Sequence, residues 1–290
     1  MRPMLAIPLA ALAALSLAAP AARAQAGATL RTPRVSPNAV VTQTIGITEL
    51  TVTYCRPGVK NRVIWGELVP YDKPWRTGAN EATNFTTTDP IEFGGQKLPA
   101  GSYALLTIPG KDEWSVVLNS EKDLWGAFEY KPEKDVMRVK AKPRPAEAQE
   151  WMEFSFEDLT PTSANLVLRW EKLEVAVPIS VDVNPIVLGK ARTAVASAKP
   201  DDWRTPYQAA NFCLTNDVAL DEGHKWLERS LSVQQTFQNL SVLARWQMKD
   251  GKRTDAIATA EKAIALGKAS KEPVETGPTE KLLADWKAGK

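Results

Sequence analysis

Residues 47–54 read Ile-Thr-Glu-Leu-Thr-Val-Thr-Tyr. Thr48, Leu50, Val52 and Tyr54 fall on one side of a period of two, and Ile47, Glu49, Thr51 and Thr53 on the other. That period puts one face of a strand in a core and the other toward solvent or a second sheet. The same alternation returns at Trp114, Val116 and Leu118 against Ser115, Val117 and Asn119. It returns again at Leu173, Val175, Val177, Ile179 and Val181 against Glu174, Ala176, Pro178 and Ser180. Turn-forming clusters separate the runs: Thr88-Asp89-Pro90, Gly94-Gly95, Pro99-Ala100-Gly101, Pro109-Gly110, Thr160-Pro161-Thr162-Ser163 and Glu171-Lys172. Short strands between frequent turns predict a mainly antiparallel β-sandwich over residues 33–182. Its last three strands, near 149–158, 164–170 and 173–181, read as a meander. Two stretches break the rhythm: 56–82, long and irregular, and 141–148, rich in Lys, Pro and Ala, which reads as a surface loop.

Beyond Val181 the period becomes helical. Asn184-Pro185 and Thr205-Pro206 place a capping residue before a proline and open helices to about Ala198 and Thr215. Further helices are expected near 221–232, 235–249 and 253–267, with Asp250-Gly251 and Gly267 as stops. Residues 184–268 resemble tetratricopeptide repeats, antiparallel helix pairs of about 34 residues. Leu240, Leu243, Ala244, Gly251, Ala256 and Ala263 fall where that pattern wants large, small, turn and small residues. A weaker copy sets Asn211, Gly223 and Ser230 against Ala244, Ala256 and Ala263, with Asp217 where the turn Gly belongs. The alternative is an ordinary helical hairpin bundle. Residues 269–290 read as a linker and a short terminal helix around 279–287.

The chain opens as an export signal. Arg2 gives a positive start, Met4 to Ala19 is apolar and uncharged, and Ala22-Arg23-Ala24 offers the small residues a signal peptidase reads. A cleavable segment over 1–24 is expected, with a mature chain of about 266 residues beginning near Gln25. The apolar run is shorter than the roughly 20 residues of a membrane span. The mature chain is therefore expected to be periplasmic or extracellular, with no membrane span. Of 36 Lys+Arg, Arg2 and Arg23 leave with the leader, so 34 remain against 34 Asp+Glu. A neutral chain lacks the electrostatic footprint of a nucleic-acid binder. One His in 290 residues, and no ligand-like spacing, exclude a His-rich metal site, so neither metal nor cofactor is expected. The two cysteines, Cys55 and Cys213, lie in different expected domains and are not expected to pair.

The irregular stretch carries the candidate chemistry. Tyr54-Cys55-Arg56-Pro57-Gly58-Val59-Lys60-Asn61-Arg62, Ile64-Trp65-Gly66-Glu67-Leu68-Val69-Pro70 and Trp75-Arg76-Thr77-Gly78-Ala79-Asn80-Glu81-Ala82-Thr83 form one dense block. With Leu98-Pro99-Ala100-Gly101-Ser102-Tyr103, Ile108-Pro109-Gly110, Glu113-Trp114, Leu118-Asn119, Trp125-Gly126 and Met137-Arg138-Val139, it resembles a secreted bacterial family, domain of unknown function 2911. The resemblance covers roughly 33–182 and implies an exported β domain, often with a helical tail. It transfers no activity and no catalytic residue. The family typically has Ser where this chain has Cys55, which argues against an obligatory thiol nucleophile.

Read physically, Arg56, Lys60, Arg62 and Arg76 gather cations within 21 residues, beside Trp65, Trp75, Asn80 and Glu81. Guanidinium groups bind carboxylate or phosphate in pairs of bonds, and indole faces stack on sugars or cations. The candidate ligand-binding residues are thus Arg56, Lys60, Arg62, Trp75, Arg76, Asn80 and Glu81, for a small polar or anionic ligand or a glycan. Three functions follow. One is a non-catalytic binding module whose helical tail docks a protein. The second is a periplasmic hydrolase using an Arg/Trp/Glu/Asn site in 54–83; a Glu67 and Glu81 carboxylate pair for glycoside hydrolysis is a separate idea that the sequence, giving no separation, does not support. The third is a scaffold in which the block is a plug, Trp65 and Trp75 enter the core, and charge pairs fix the loop. Arg76 with Glu81 is the expected internal pair, which would leave Arg56 and Arg62 freer for a ligand.

Overall fold

The computed structural model describes residues 32–289. The expected leader and its cleavage site lie outside the described residues. Two antiparallel sheets occupy residues 38–180, and helices follow from 183 to 287. The strands are β1 (Asn38–Ile45), β2 (Thr48–Cys55), β3 (Thr83–Thr87), β4 (Ile91–Phe93), β5 (Gln96–Leu98), β6 (Gly101–Ile108), β7 (Trp114–Asn119), β8 (Asp135–Ala141), β9 (Arg144–Glu157) and β10 (Ser163–Ser180). One sheet runs β1-β2-β3-β6-β7-β8 and the other β5-β4-β10-β9.

The alternation that predicts the strands also sets the core. Thr48, Leu50, Val52 and Tyr54 are all buried, and Val52 pairs across with Phe85 of β3. From the second sheet come Met152, Phe154, Leu168, Trp170, Val175, Val177 and Ile179. The Tyr54 hydroxyl accepts a bond from the Phe154 N–H at 3.0 Å, a polar tie between the sheets. Not every second residue faces water. Ala104, Leu106 and Val117, on the reverse face of β6 and β7, pack under Ala82 and Leu124. The segment between β7 and β8 therefore gives the larger sheet a small second core.

Two local expectations are corrected. The stretches 164–170 and 173–181 are one strand, β10, not two. Glu171-Lys172 does not end the strand: Glu171 takes φ +59°, and the pairing with β9 shifts register on both sides of it, each two-residue step along β10 facing a four-residue step along β9. The extra residues thus lie in β9, and such an insertion bends a strand pair without ending it. The expected loop 141–148 is also wrong over most of its length, because β9 begins at Arg144 and pairs Pro145 with Leu173. β9 is an edge strand, where a proline costs no ladder bond if its nitrogen faces outward.

The helices are α1 (Val183–Ser197), α2 (Arg204–Asn216), α3 (Leu220–Val233), α4 (Phe237–Lys249), α5 (Arg253–Lys268) and α6 (Gly277–Lys287). α2 packs on α3 and α4 on α5 as consecutive hairpins. A Cβ on Gly223 would lie 2.5 Å from the Cys213 Cβ and 2.9 Å from the Trp246 ring. Only glycine admits that approach of α3 to its neighbours. Asp217, at the position of the turn Gly, adopts the left-handed conformation itself, φ +56°. Asn211 departs from the small-residue pattern and accepts a bond from Arg245 Nη1 at 3.0 Å. α1 is tied to the sandwich by Lys190, whose ammonium lies 2.7 Å from Asp89. Burial pushes the Asp89 carboxyl up, but Lys190, Thr88 and Thr48 together hold it below its ordinary range. Both cysteines are buried and neither forms a disulfide. Among the described residues no helix is long and apolar enough to cross a membrane.

Candidate functional site

The irregular block is ordered by the two sheets it crosses. At its start Gly58 bridges Trp151 of β9, Val59 N–H donates to Glu150 O, and Met152 N–H donates to Pro57 O. Further on Trp75 exchanges backbone bonds with Thr107 of β6, at 2.7 and 2.9 Å. Near its end Glu81 bridges Trp125 and Ala82 N–H donates to Leu124 O. The segment thus leaves β2 of the larger sheet, lies against β9 of the smaller one, returns to β6 of the larger one and finishes beside the loop before β8.

Indoles anchor the crossing. Trp75 stacks on Trp170 of β10 at 5.8 Å and 18°, while Trp65 meets Trp75, Trp114 and Trp170 edge-on at 5.1–6.0 Å. Such offset and edge contacts suit the ring quadrupole. Trp114 and Trp170 are almost fully buried. The Trp75 indole donates to Gly78 O at 3.2 Å, and that of Trp170 to Glu150 O at 3.3 Å.

Between the anchors the backbone is strained. Lys60, Asn61, Asp72, Thr77 and Asn80 all have φ between 50° and 60°. Among the described non-glycine residues only four others share that sign, all outside this block. Thr77 is the sharpest case, because a β-branched residue is a genuine outlier there. It is wholly buried. Its hydroxyl bonds to Thr107 Oγ1 at 3.1 Å, and its carbonyl accepts from Thr83 Oγ1 at 2.7 Å. Strain of this kind costs about 1–3 kcal/mol per residue and persists only where the surroundings enforce it. Here it presents Arg76, the residue before.

A cavity of about 230 Å³ opens beside this turn, with Lys60, Arg62, Trp75, Arg76 and Trp170 among its lining residues. Its lining includes no carboxylate, thiol or imidazole. None of Lys60, Arg62 and Arg76 pairs with a carboxylate among the described residues. Lys60 sits with its ammonium 5.8 Å from the centre of the Trp151 ring. Arg62 donates to Val59 O at 3.1 Å and Gly58 O at 2.6 Å, so it holds the loop and lines the cavity at once. Arg76 is different again. Its Nε is buried with no acceptor, and burial lowers its pKa, with the nearby Cys55 acting weakly the other way. A buried guanidinium donor left unbonded costs more than an ordinary missing hydrogen bond.

A model of the family described as protein of unknown function (DUF2911) matches residues 36–179. The β part of this chain belongs to that family. The DUF2911 match takes in every residue lining the cavity except Val35, and the helices lie beyond it. No curated protein and no solved structure matches the chain.

Of the seven residues predicted for the site, the DUF2911 domain brings Lys60, Arg62, Trp75 and Arg76 to one cavity and places three elsewhere. Arg56 points to β9: Nε donates to Met152 O at 2.7 Å, and Nη2 lies 3.6 Å from Glu153. Asn80 donates to Ser36 O at 3.2 Å. Glu81 lines a second cavity of about 250 Å³ and accepts from the Cys55 thiol at 3.4 Å. It forms no ion pair with Arg76, so the expected pairing is corrected: with Thr77 and Asn80 left-handed between them, Arg76 lines the first cavity and Glu81 the second. The freer cation is Arg76, not Arg56. Cys55 Sγ also donates to Asn38 Oδ1 at 2.8 Å. A serine hydroxyl at that position could make the same bond. Glu67 is exposed and lines neither cavity. Sequence reading did not find Trp170. It lies on a different strand about a hundred residues on, and no local pattern sets it apart from other core indoles.

Proposed function

We propose that this is an exported, non-catalytic binding module whose DUF2911 domain holds a small anion, a carboxylate, sulfate or phosphate group, in the cavity of Lys60, Arg62 and Arg76. One observation carries the reading: three cations line one cavity whose lining residues include no carboxylate, and one of them keeps a buried donor unbonded. An anion would supply both the missing charge and the missing acceptor. The volume suits a group smaller than the drug-sized ligands that fill about 300–1,000 Å³. The strained turn fits a preorganised site, in which ordering is complete before the ligand arrives. A neutral glycan alone would leave the charges unanswered. General acid–base chemistry finds no carboxylate or imidazole in the lining to perform it, and a hydroxyl such as that of Ser36 finds no such base there to activate it. The leader pattern supports export, and the paired helices supply a surface for a protein partner.

The test is a thermal melt of the mature chain with inorganic phosphate, sulfate or acetate, and with neutral glucose at matched concentration. A ligand at a hundred times its Kd stabilises by about 2.7 kcal/mol, which raises Tm by several degrees in a unit of this size. The expected result is a rise with at least one anion and none with glucose. A rise with glucose alone, or with nothing, overturns the reading.

A further inference from the structure

Arg76 does not end at the cavity. A Cβ built on Gly126 would lie 3.3 Å from Arg76 Nη1, so the guanidinium runs against the bare backbone of the loop between β7 and β8. Gly126 holds φ +77°, a conformation that keeps side chains out of this approach. On either side of it stand Trp125, 59 % exposed, and Phe128, 87 % exposed.

Their exposure does not come from an unanchored loop. Leu124 is buried in the small second core, and its carbonyl accepts from Ala82 N–H. The Asn119 side chain donates to Lys131 O at 3.0 Å and to Asp135 at 2.8 Å. The Tyr130 hydroxyl donates to Asp135 at 2.8 Å, and Arg138 bonds to both. Burial and the Asp135 carboxylate push the Tyr130 phenol up to about 12, so this tie stays protonated across the working range. Between fixed ends, two large aromatic side chains are left facing water beside Arg76, whose buried Nε lacks an acceptor. Neither lines the cavity; Arg76 is the residue common to both places.

We infer that the anion taken by the cavity is the charged head of a ligand with a flat ring or apolar body, and that Trp125 and Phe128 hold that body. This rests on the anion-binding reading above. The cavity is too small for a large molecule, so a larger ligand must extend past Arg76, and the exposed surface there is aromatic. Aromatic rings gain from stacking on a second flat group beyond simple area burial. The chemical class is an aryl or alkyl phosphate, sulfate or carboxylate rather than a free inorganic ion.

Calorimetric titration of the mature chain with phenyl phosphate and with inorganic phosphate tests this. Both should bind, with phenyl phosphate about ten-fold tighter. In the double variant Trp125→Ala, Phe128→Ala that advantage should vanish while inorganic phosphate binds as before. Both side chains are mostly exposed, so an unchanged Tm confirms that the variant folds. If both ligands bind wild type equally, or the double variant keeps the preference, the aromatic contact is wrong and the anion cavity stands. If neither binds wild type, the anion reading itself has failed.

Discussion

Arg56 and Arg76 sit at opposite ends of the same crossing segment and do opposite work. Arg56 has its charge answered by Glu153 and its donors by β9 carbonyls, and it lines neither of the two cavities beside the block. Arg76 has no carboxylate, a buried Nε without an acceptor, and an approach held by a strained threonine. Similar chemistry in one segment thus divides into a cation that stabilises the fold and one whose burial works against it. Burying a charge is expensive unless it is paired. A fold that keeps an unpaired one has left room for something to pair with it.

The comparison can be broken most forcefully at the indole that supports both ends. Trp75→Ala removes a ring stacked on Trp170 and should cost about 3–5 kcal/mol, with the anion response lost as well. Urea denaturation measures the first and a melt with phosphate the second. If stability hardly changes, the indoles are not what orders the segment. Arg56→Ala should cost about 2 kcal/mol, since it deletes charge-assisted bonds to β9, and should leave anion binding intact. Loss of binding in a folded Arg56 variant would place that residue at the site after all. The smallest effect is expected at Lys60, held at φ +50°. Lys60→Gly should change stability by under about 1 kcal/mol, with relief of the left-handed cost set against a freer unfolded chain. It should still weaken the anion response. If it weakens stability strongly and binding not at all, Lys60 belongs with Arg56.

How much of this was legible follows from what sets each feature. The strands at 48–55, 114–119 and 173–180 could be read because the two faces of a sheet meet different surroundings, and a period of two records that directly. The helices could be read because Asp250-Gly251 and prolines in the first turn mark their ends locally, although the caps are Asp182 and Trp203 rather than Asn184 and Thr205, and Pro185 and Pro206 are each the third helical residue rather than the first. The continuity of β10 through Glu171-Lys172 could not, because a left-handed residue there also suits a turn, and only the pairing with the irregular stretch of β9 decides between them. Nor could the strand at Arg144, since an edge position tolerates proline and alanine that a central strand would not. At the site, the residue types were legible and their partners were not. Arg76 and Glu81 are five residues apart, a spacing that invites pairing, yet with Thr77 and Asn80 left-handed between them Glu81 accepts from Cys55 instead. Trp170 and Trp125 reach the neighbourhood only through the fold, so nothing near them in sequence names the role.

The most direct test compares Arg76→Gln with Arg56→Gln, each followed by a melt and by calorimetric titration with inorganic phosphate. Arg76→Gln should melt with the wild type, within a degree or two, and lose the heat of phosphate binding. Arg56→Gln should melt several degrees lower and titrate like the wild type. The reverse pattern, with Arg76→Gln unstable but still binding and Arg56→Gln stable but silent, would contradict the division of labour on which the function rests.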